Sequence, residues 1–284
     1  MTVPSASEFA MAAAATRPAS PTGNTELASR IAAEYREIVK RYAAYQPRTL
    51  QKYLGPSELG SPCDRQVAGK MAGLPATNHV ADPWPSLVGT WCHEGMADCF
   101  IKANAFDTYG RRFLAETRVA GHPNHPGTSD LYDWKYKAVV DHKFLGDTTH
   151  AKIQRADGPP RKYVVQILLY AQGFRNMGFP VERVILAAWP RTKSKIAGLY
   201  IWERPHTPDD IALLEEVNTQ TDTRYAWATA LADGRCRLED VPMVPDDDEC
   251  YFCPFYRPQS AYDEKIQGCP GNRDIKFAQQ GTPS

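Results

Sequence analysis

Apolar residues recur at helical intervals near the start of the chain and in several later segments. A helix over residues 25–45 is predicted by apolar side chains spaced three or four residues apart. They are Leu27, Ile31, Tyr35, Ile38 and Tyr42. Further helices are predicted over residues 84–104 and 161–178, in a short segment carrying Cys63 and Arg65, and from Thr207-Pro208-Asp209-Asp210 to Gly234. The last of these begins with a capping residue, a proline and two acids, which is typical of a helix start.

Five shorter segments are rich in β-branched and aromatic residues and predict strands. They are residues 113–120, 127–133, 137–145, 183–190 and 197–204. The turn Trp134-Lys135-Tyr136 joins the second and third segments as a hairpin. The order of helix, three strands, helix, two strands and helix predicts an α/β core with a mixed central sheet, a helix on each face, and helical additions at both ends.

Composition sets the limits of the predicted domain. Residues 1–24 are rich in Ala, Ser, Thr and Pro and are predicted to be disordered. Residues 25–270 are predicted to form a single domain, and residues 271–284 a flexible tail. A chain of 284 residues with 43% apolar content is long enough to bury a sizeable core.

The charge balance limits the classes of partner. The 33 basic and 33 acidic residues cancel, so nucleic-acid binding would require a local basic patch. No apolar run reaches the roughly 18–20 residues that span a bilayer. No basic residue precedes the N-terminal segment FAMAAAA, which argues against a signal peptide. A cytoplasmic protein without a membrane partner is therefore expected.

The predicted hairpin carries charged side chains between buried segments. Asp141 and Lys143 are two residues apart in one strand, so their side chains share a face, and the hairpin returns Asp130 to the same neighbourhood. Two neighbouring carboxylates repel each other unless a cation lies between them, and Mg²⁺ or Mn²⁺ prefers oxygen ligands. The alternative is an ordinary edge hairpin whose charges are solvated.

Seven cysteines are an odd number, which argues against a complete disulfide framework. Cys250 and Cys253 have the spacing of a metal-binding knuckle, Cys269 precedes a proline, and Cys63 lies far upstream. In a reducing compartment such clustered cysteines bind metal more often than they form disulfides. Cys92 and Cys99 are predicted to be small buried apolar residues of one helix.

The hairpin residues resemble the PD-(D/E)XK nuclease superfamily, in which an Asp on one strand and an (Asp/Glu)-x-Lys on the next hold the metal ions. Here these elements are Asp130 and Asp141-His142-Lys143. The RecB-like branch adds a His on an upstream helix and a Gln-x-x-x-Tyr on the following helix, which match His93, Gln166 and Tyr170. The resemblance implies a restriction-endonuclease-like core, with a helical N-terminal region and a loop-rich C-terminal region.

The resemblance also implies a role for each matching residue. His93, Asp130 and Asp141 would bind Mg²⁺ or Mn²⁺ together with the carbonyl of His142, and Lys143 would assist the attack of water on phosphorus. Gln166 and Tyr170 would face the site and contact DNA. The implied activity is that of a metal-dependent DNA exonuclease acting on single-stranded DNA or DNA ends.

One early and three late cysteines resemble the iron–sulfur branch of RecB-like nucleases, which includes the CRISPR-associated RecB-like exonucleases. This resemblance implies a [4Fe–4S] cluster on Cys63, Cys250, Cys253 and Cys269 that joins the N-terminal helical region to the C-terminal region. Because the gap between the last two ligands is longer than is usual in that family, Cys236 is an alternative fourth ligand. A four-cysteine zinc site is the alternative to the cluster.

Three basic residues, Arg65, Arg161 and Lys162, are candidate contacts for DNA phosphates, with solvated surface charge as the alternative. DNA is the expected partner, together with recombination, replication or CRISPR-adaptation proteins of a prokaryotic or phage-infected cell. The rival hypothesis is a non-catalytic DNA-binding or assembly module on a nuclease-like scaffold. The sequence leaves open the cleavage polarity, exonuclease against endonuclease action, and the oligomeric state.

Overall fold

The computed structural model describes residues 26–46, 54–78, 82–107, 110–155, 158–245, 247–263 and 265–271. The predicted disordered segment 1–24 lies outside the described residues, as does all but the first residue of the predicted tail 271–284. The chain divides into two units, residues 1–50 and 51–284. In the first unit, the helix predicted over residues 25–45 is α1 (Glu26–Ala44).

The second unit contains a five-stranded mixed sheet with the strand order β1-β2-β3-β4-β5. Its strands are β1 (Phe113–Val119), β2 (Gly127–Asp133), β3 (Ala138–Leu145), β4 (Arg183–Pro190) and β5 (Tyr200–Pro205). The pair β3–β4 is parallel, and the other neighbouring pairs are antiparallel. All five predicted strands are confirmed, although β5 begins later than expected because residues 196–198 form a single 3₁₀ turn.

Seven further helices lie in the described part of the second unit. They are α2 (Pro56–Leu59), α3 (Asp64–Met71), α4 (Trp84–Ala103), α5 (Asp147–Ile153), α6 (Arg161–Asn176), α7 (Pro208–Ala232) and α8 (Asp247–Phe252). The patterns predicted α3, α4, α6 and α7 but did not indicate the three short helices. As expected, α7 begins with a reciprocal capping box between Thr207 and Asp210.

The two faces of the sheet are covered by different helices, which confirms the predicted arrangement. On one face, buried residues of α6 such as Leu168 and Phe174 pack against Tyr132 and Val139. On the other face, Phe100 of α4 packs against a buried group of strand residues. The apolar alternation of the strands places residues on both faces, and burial of this surface is the main stabilising contribution to the fold.

The prediction that Cys92 and Cys99 are both buried is wrong. Cys99 is exposed, and Cys92 is only partly buried. The side of α4 that faces the sheet carries Ala97 and Phe100. Because each residue advances about 100° around a helix, a cysteine one position before Phe100 is rotated away from that side.

A buried arginine attaches the segment around α2 and α3 to α7. The side chain of Arg224 is fully buried and donates hydrogen bonds to Asp64 Oδ1 at 2.7 Å, to Leu59 O at 2.9 Å and to Ser61 O at 2.5 Å. These acceptors lie on both sides of Cys63. The position of this cysteine is therefore fixed by a charged network that would be costly to break.

Across the described ranges, every helix falls short of the length and apolar character that a membrane span requires. The absence of a membrane partner and the cytoplasmic location both stay predictions.

Candidate active site

The candidate active site lies where β2 and β3 separate. The last backbone pair of these strands joins Leu131 and Val140, and their sequence neighbours Asp130 and Asp141 lie just beyond it. Beyond this point the N–H of His142 donates to the carboxylate of Asp130, with 2.6 Å between N and Oδ2. A side chain thus replaces the neighbouring strand as hydrogen-bond acceptor, and the opening between the strands is lined by carboxylates.

Helix α4 brings His93 to the same opening. Its Nδ1 lies 3.4 Å from Oδ1 of Asp130, and its ring packs edge-on against Phe144 at 5.1 Å between centroids. Burial by itself would raise the pKa of Asp130, but the hydrogen bond and charge of His93, the ammonium of Lys143 and the His142 N–H outweigh it. The pKa of Asp130 is therefore lowered, and this carboxylate is ionised at neutral pH.

Asp141 is the least satisfied charged group of the site. Its side chain is 1% exposed, and its Oδ1 has no hydrogen-bond partner among the described residues. Lys143 Nζ lies 2.7 Å from Oδ2, and this ion pair opposes the rise in the pKa of Asp141 through its charge and its hydrogen bond. Burial raises the pKa of Asp141 to about 6, opposed by Lys143 and reinforced by Asp130. A buried carboxylate with vacant lone pairs is what a bound cation would stabilise.

Helix α6 positions the ammonium group of Lys143. Lys143 Nζ donates to Oε1 of Gln166 at 2.9 Å, and Gln166 Nε2 donates to the hydroxyl of Tyr170 at 3.1 Å. The ring of Tyr163 lies 5.0 Å from Nζ, within the range of a cation–π contact. Gln166 and Tyr170 therefore reach the site as a pair that orients Lys143. Tyr163 was missed, although its position three residues before Gln166 places both on one face of the helix.

Glu116 is a second residue that the sequence analysis missed. The pairs Ala115–Leu131 and Thr117–Ser129 flank it, so Glu116 stands opposite Asp130 across β1 and β2. Its φ of 49° is in the left-handed region, which costs about 1 kcal/mol or more for a residue with a side chain. Burial and the charge of Asp130 raise the pKa of Glu116. A third carboxylate thus borders the opening.

The side chain of His142 does not face this opening. Its ring stacks on Phe100 at 5.4 Å, and its Nδ1 accepts a hydrogen bond from Trp189 Nε1 at 3.2 Å. Burial lowers the pKa of the imidazole to about 4, so it is neutral at physiological pH. The backbone of His142 borders the site through its N–H, and the role of its carbonyl as a ligand stays a prediction.

The chemistry of the donor atoms fits a divalent cation. An imidazole nitrogen and the carboxylates of Asp130 and Asp141 are ligands that Mg²⁺ or Mn²⁺ accepts, and two ionised acids in one opening require a counter-charge. Within the part of the chain that the structure describes, no three His, Cys, Asp or Glu side chains already converge on a single point. The evidence for the fit is therefore the chemistry of the donor atoms and the unpartnered Oδ1 of the buried Asp141.

No family model matches the chain, and no curated protein matches it significantly in sequence. Among solved structures, an alkaline exonuclease from Laribacter hongkongensis is similar at 10% identity and a TM-score of 0.44, over 65% of this chain and 91% of that chain. The same enzyme in complex with dAMP gives 12% identity, a TM-score of 0.40 and coverages of 62% and 92%. A phage-related exonuclease from Haemophilus somnus is similar at 12% identity and a TM-score of 0.40, over 61% of this chain and 82% of that chain. At this level of likeness, the chemistry of the site is inferred only from its own residues.

The four predicted cluster ligands line one cavity. Cys63, Cys250, Cys253 and Cys269 all border it, although the first is 187 residues before the second (250 − 63). Cys63 directly precedes α3, and the backbone N–H of Cys253 closes a turn onto the carbonyl of Cys250 at 3.0 Å. Cys269 is held by backbone hydrogen bonds to Phe255 and Arg257. The fold thus brings the predicted set together.

The thiols of this cavity are protonated in the metal-free protein, and in the part of the chain that the structure describes they do not form a ready-made metal site. Burial raises the pKa of the Cys253 thiol to about 12, and the neighbouring Cys63 and Cys269 add to the effect. A thiol of this kind ionises when a metal binds. Cys236 does not border the cavity and packs instead near Leu231 and Val241. The cavity therefore includes Cys269 and not Cys236, and the role of either as a ligand stays a prediction.

The structure does not support Arg65 as a DNA contact. Its side chain is buried and donates to Val241 O at 2.9 Å, to Glu239 O at 2.6 Å and to Cys269 Sγ at 3.2 Å. The guanidinium therefore faces the cysteine cavity. The sequence could not show this, because the acceptors lie more than 170 residues away along the chain.

The other two candidate phosphate contacts are partly exposed. Arg161 donates to Glu216 at 2.9 Å and to Gly60 O at 3.3 Å, so part of its donor capacity is already used. The ammonium of Lys162 lies 5.5 Å from the ring of Tyr163, beside the residues that orient Lys143. Their contact with DNA stays a prediction.

Proposed function

We propose that the protein is a metal-dependent deoxyribonuclease that hydrolyses phosphodiester bonds. The observation that carries the proposal is the buried carboxylate of Asp141, whose Oδ1 has no hydrogen-bond partner among the described residues and which lies beside Asp130 and Lys143. A purely structural ion pair would have both of its carboxylate oxygens hydrogen-bonded, because an incompletely satisfied buried charge destabilises a fold. A site that receives a cation during function explains why Oδ1 has no partner.

The residues of the site divide into ligands and a cationic group. A divalent cation in this opening supplies Lewis acidity toward a phosphate oxygen. Asp130, Asp141 and His93 would hold it, and the His142 N–H keeps the Asp130 carboxylate in place. Lys143 has three N–H donors, of which contacts with Asp141 and Gln166 occupy two. The remaining N–H is available to a phosphate oxygen as negative charge develops there.

The preference for single-stranded DNA or DNA ends, and for exonuclease action, follows from the family resemblance in the sequence. A net charge of zero does not prevent DNA binding, because local cationic side chains beside the site can bind the phosphates. Lys162 at the start of α6 is one such cation, close to the ring of Tyr163 that also contacts Lys143.

The direct test is cleavage of end-labelled single-stranded and double-stranded DNA with Mg²⁺, with Mn²⁺ and with EDTA. The purified protein should cleave only with the metals, and Lys143→Met should lower the single-turnover rate by about 10²–10³-fold. Lys135→Met is the matched control, because this exposed lysine lies in the turn of the same hairpin.

Two outcomes would contradict the proposal. Full activity of Lys143→Met would remove this residue from the chemistry. Binding of DNA without cleavage under every metal condition would favour the rival hypothesis of a non-catalytic DNA-binding or assembly module.

Glu116→Gln should weaken Mg²⁺ or Mn²⁺ binding about tenfold, equal to about 1.4 kcal/mol, because it removes a negative charge opposite Asp130. Titration calorimetry with Mn²⁺ measures the effect, and Glu215→Gln on the exposed side of α7 is the control. The melting temperature of the metal-free variant should not fall, because carboxylate repulsion is relieved. Unchanged Mn²⁺ affinity would place Glu116 outside the site.

We propose that Cys63, Cys250, Cys253 and Cys269 hold a structural metal centre. Four thiol groups around one cavity suit either a [4Fe–4S] cluster or zinc, and the family resemblance favours the cluster. Arg65 donates to Cys269 Sγ and so compensates part of the negative charge that four thiolates would bring. Visible absorption and iron content of anaerobically purified protein distinguish the two centres.

A further inference from the structure

Helix α1 carries an apolar stripe that remains exposed in the described structure. Its members range from 39% to 76% exposed and include three tyrosines. They are Leu27, Ile31, Tyr35, Ile38, Tyr42 and Tyr45. The first five lie on the 19-residue helix, and Tyr45 directly follows its last residue, Ala44. Such a row of large apolar side chains marks an interaction surface. Val39 and Ala43 are more buried, so the stripe is distinct from the side of α1 that is already covered.

The spacing of this stripe is that of a coiled coil. From Ile31 the apolar residues advance by four, three, four and three positions to Tyr45, which is the 3.5-residue period of alternating d and a positions. In this register Leu27, Glu34 and Arg41 occupy g positions, and the two charged ones flank the row from Ile31 to Tyr45. Glu37 and Lys40 lie on the outer surface and form an ion pair with each other at 3.1 Å.

We propose that α1 is a self-association element that pairs in antiparallel orientation with α1 of a second copy of this chain. In that register Tyr35 packs against the partner's Ile38, and Tyr42 packs against the partner's Ile31. A large aromatic ring thus meets a branched aliphatic side chain in each layer, which is favourable for knobs-into-holes packing.

The flanking charges determine the antiparallel orientation. In an antiparallel pair the g positions face each other, so Glu34 lies beside the partner's Arg41, and this contact occurs twice. In a parallel pair Glu34 would face the partner's Val39, and Arg41 the partner's Gln46, so both charges would lack an ionic partner across the interface. Antiparallel helix dipoles also favour this arrangement.

The interface is short, so the expected association is weak and concentration-dependent. Two and a half heptads bury only a small apolar surface, and isolated helices of this length are marginal. A dimer that dissociates in the micromolar range is therefore expected for the full-length protein. The proposal does not depend on the proposed nuclease function, because α1 lies in a unit separate from the candidate active site.

The test uses charge reversal and mixing, followed by analytical ultracentrifugation of the full-length protein. Glu34→Arg creates two Arg–Arg contacts in the dimer, and Arg41→Glu creates two Glu–Glu contacts, so each should weaken association about tenfold. An equimolar mixture of the two variants should recover wild-type affinity, because the mixed dimer restores both ion pairs. Circular dichroism checks that each variant keeps its helical content.

Each contrary result has a defined meaning. A wild-type protein that stays monomeric at the highest soluble concentration would overturn self-association. Loss of affinity in both variants without recovery in the mixture would overturn the antiparallel register. An Ile31→Lys, Ile38→Lys double variant that associates as tightly as wild type would show that another surface forms the dimer. An unchanged dimer affinity in Glu34→Arg or in Arg41→Glu would likewise contradict the assigned interface.

Discussion

Asp130→Asn is expected to lower the rate of DNA cleavage by about 10⁴-fold or more while the protein stays folded and binds DNA. The amide oxygen of Asn can still accept the hydrogen bond from His142 N–H, so the geometry where β2 and β3 separate is preserved. The negative charge that pairs with His93 and would bind a cation is lost. End-labelled DNA under single-turnover conditions measures the rate, and titration with Mn²⁺ measures the loss of metal affinity.

The stability of this variant distinguishes a catalytic from a structural role. Asp130 repels Asp141, but the lowered pKa of Asp130 means that its charge stabilises the folded protein at neutral pH, so Asp130→Asn should lower the melting temperature of the metal-free protein only slightly. Asp98→Asn is the control, because this exposed carboxylate pairs only with Lys102 in the contacts described for it. Cleavage at the wild-type rate, or loss of activity only through unfolding, would exclude Asp130 from the chemistry.

The elements of the sheet could be predicted because each carries its own local signal. Alternating apolar residues indicate β1 to β5. Because Asp141 and Lys143 are two residues apart in one strand, their side chains are expected to share a face. This was enough to group Asp130, Asp141 and Lys143. The short helices α2, α5 and α8 are only four to seven residues long, too short to show a helical period.

The finer geometry depends on contacts between distant segments and could not be predicted. The end of β2–β3 pairing before Asp130, the left-handed backbone of Glu116 and the burial of Arg65 all arise from packing. Arg65 illustrates the difficulty, because a basic residue in a nuclease-like sequence is typically assigned to phosphate binding. Only the folded chain shows that its guanidinium is directed at Cys269.

The cysteine cavity and the candidate active site are connected through one segment. Gly60 lies so close to α6 that a Cβ atom there would be 2.6 Å from Cα of Lys162, and Arg161 donates to its carbonyl. Three residues later the same segment supplies Cys63 to the cavity. A metal on the four cysteines would therefore hold the segment that supports the start of α6, the helix whose Gln166 orients Lys143.

Cys250→Ser is expected to remove the metal centre and to destabilise the protein by about 3 kcal/mol, a fraction of the roughly 10–16 kcal/mol that a four-ligand metal contributes to folding. For a unit of this size, the melting temperature should fall by about 6–12 °C. The rate of DNA cleavage should decrease only indirectly, because the segment that supports the start of α6 becomes less rigid. Metal analysis, visible absorption and a thermal melt of anaerobically purified protein measure these effects.

Two other cysteines provide matched controls for this prediction. Cys236 lies outside the cavity and Cys99 is exposed, so Cys236→Ser and Cys99→Ser should keep the metal and the wild-type melting temperature. Loss of the metal in Cys236→Ser would identify it as the fourth ligand in place of Cys269. A Cys250→Ser protein that retains full metal content and stability would show that Cys250 is a packing residue and not a ligand.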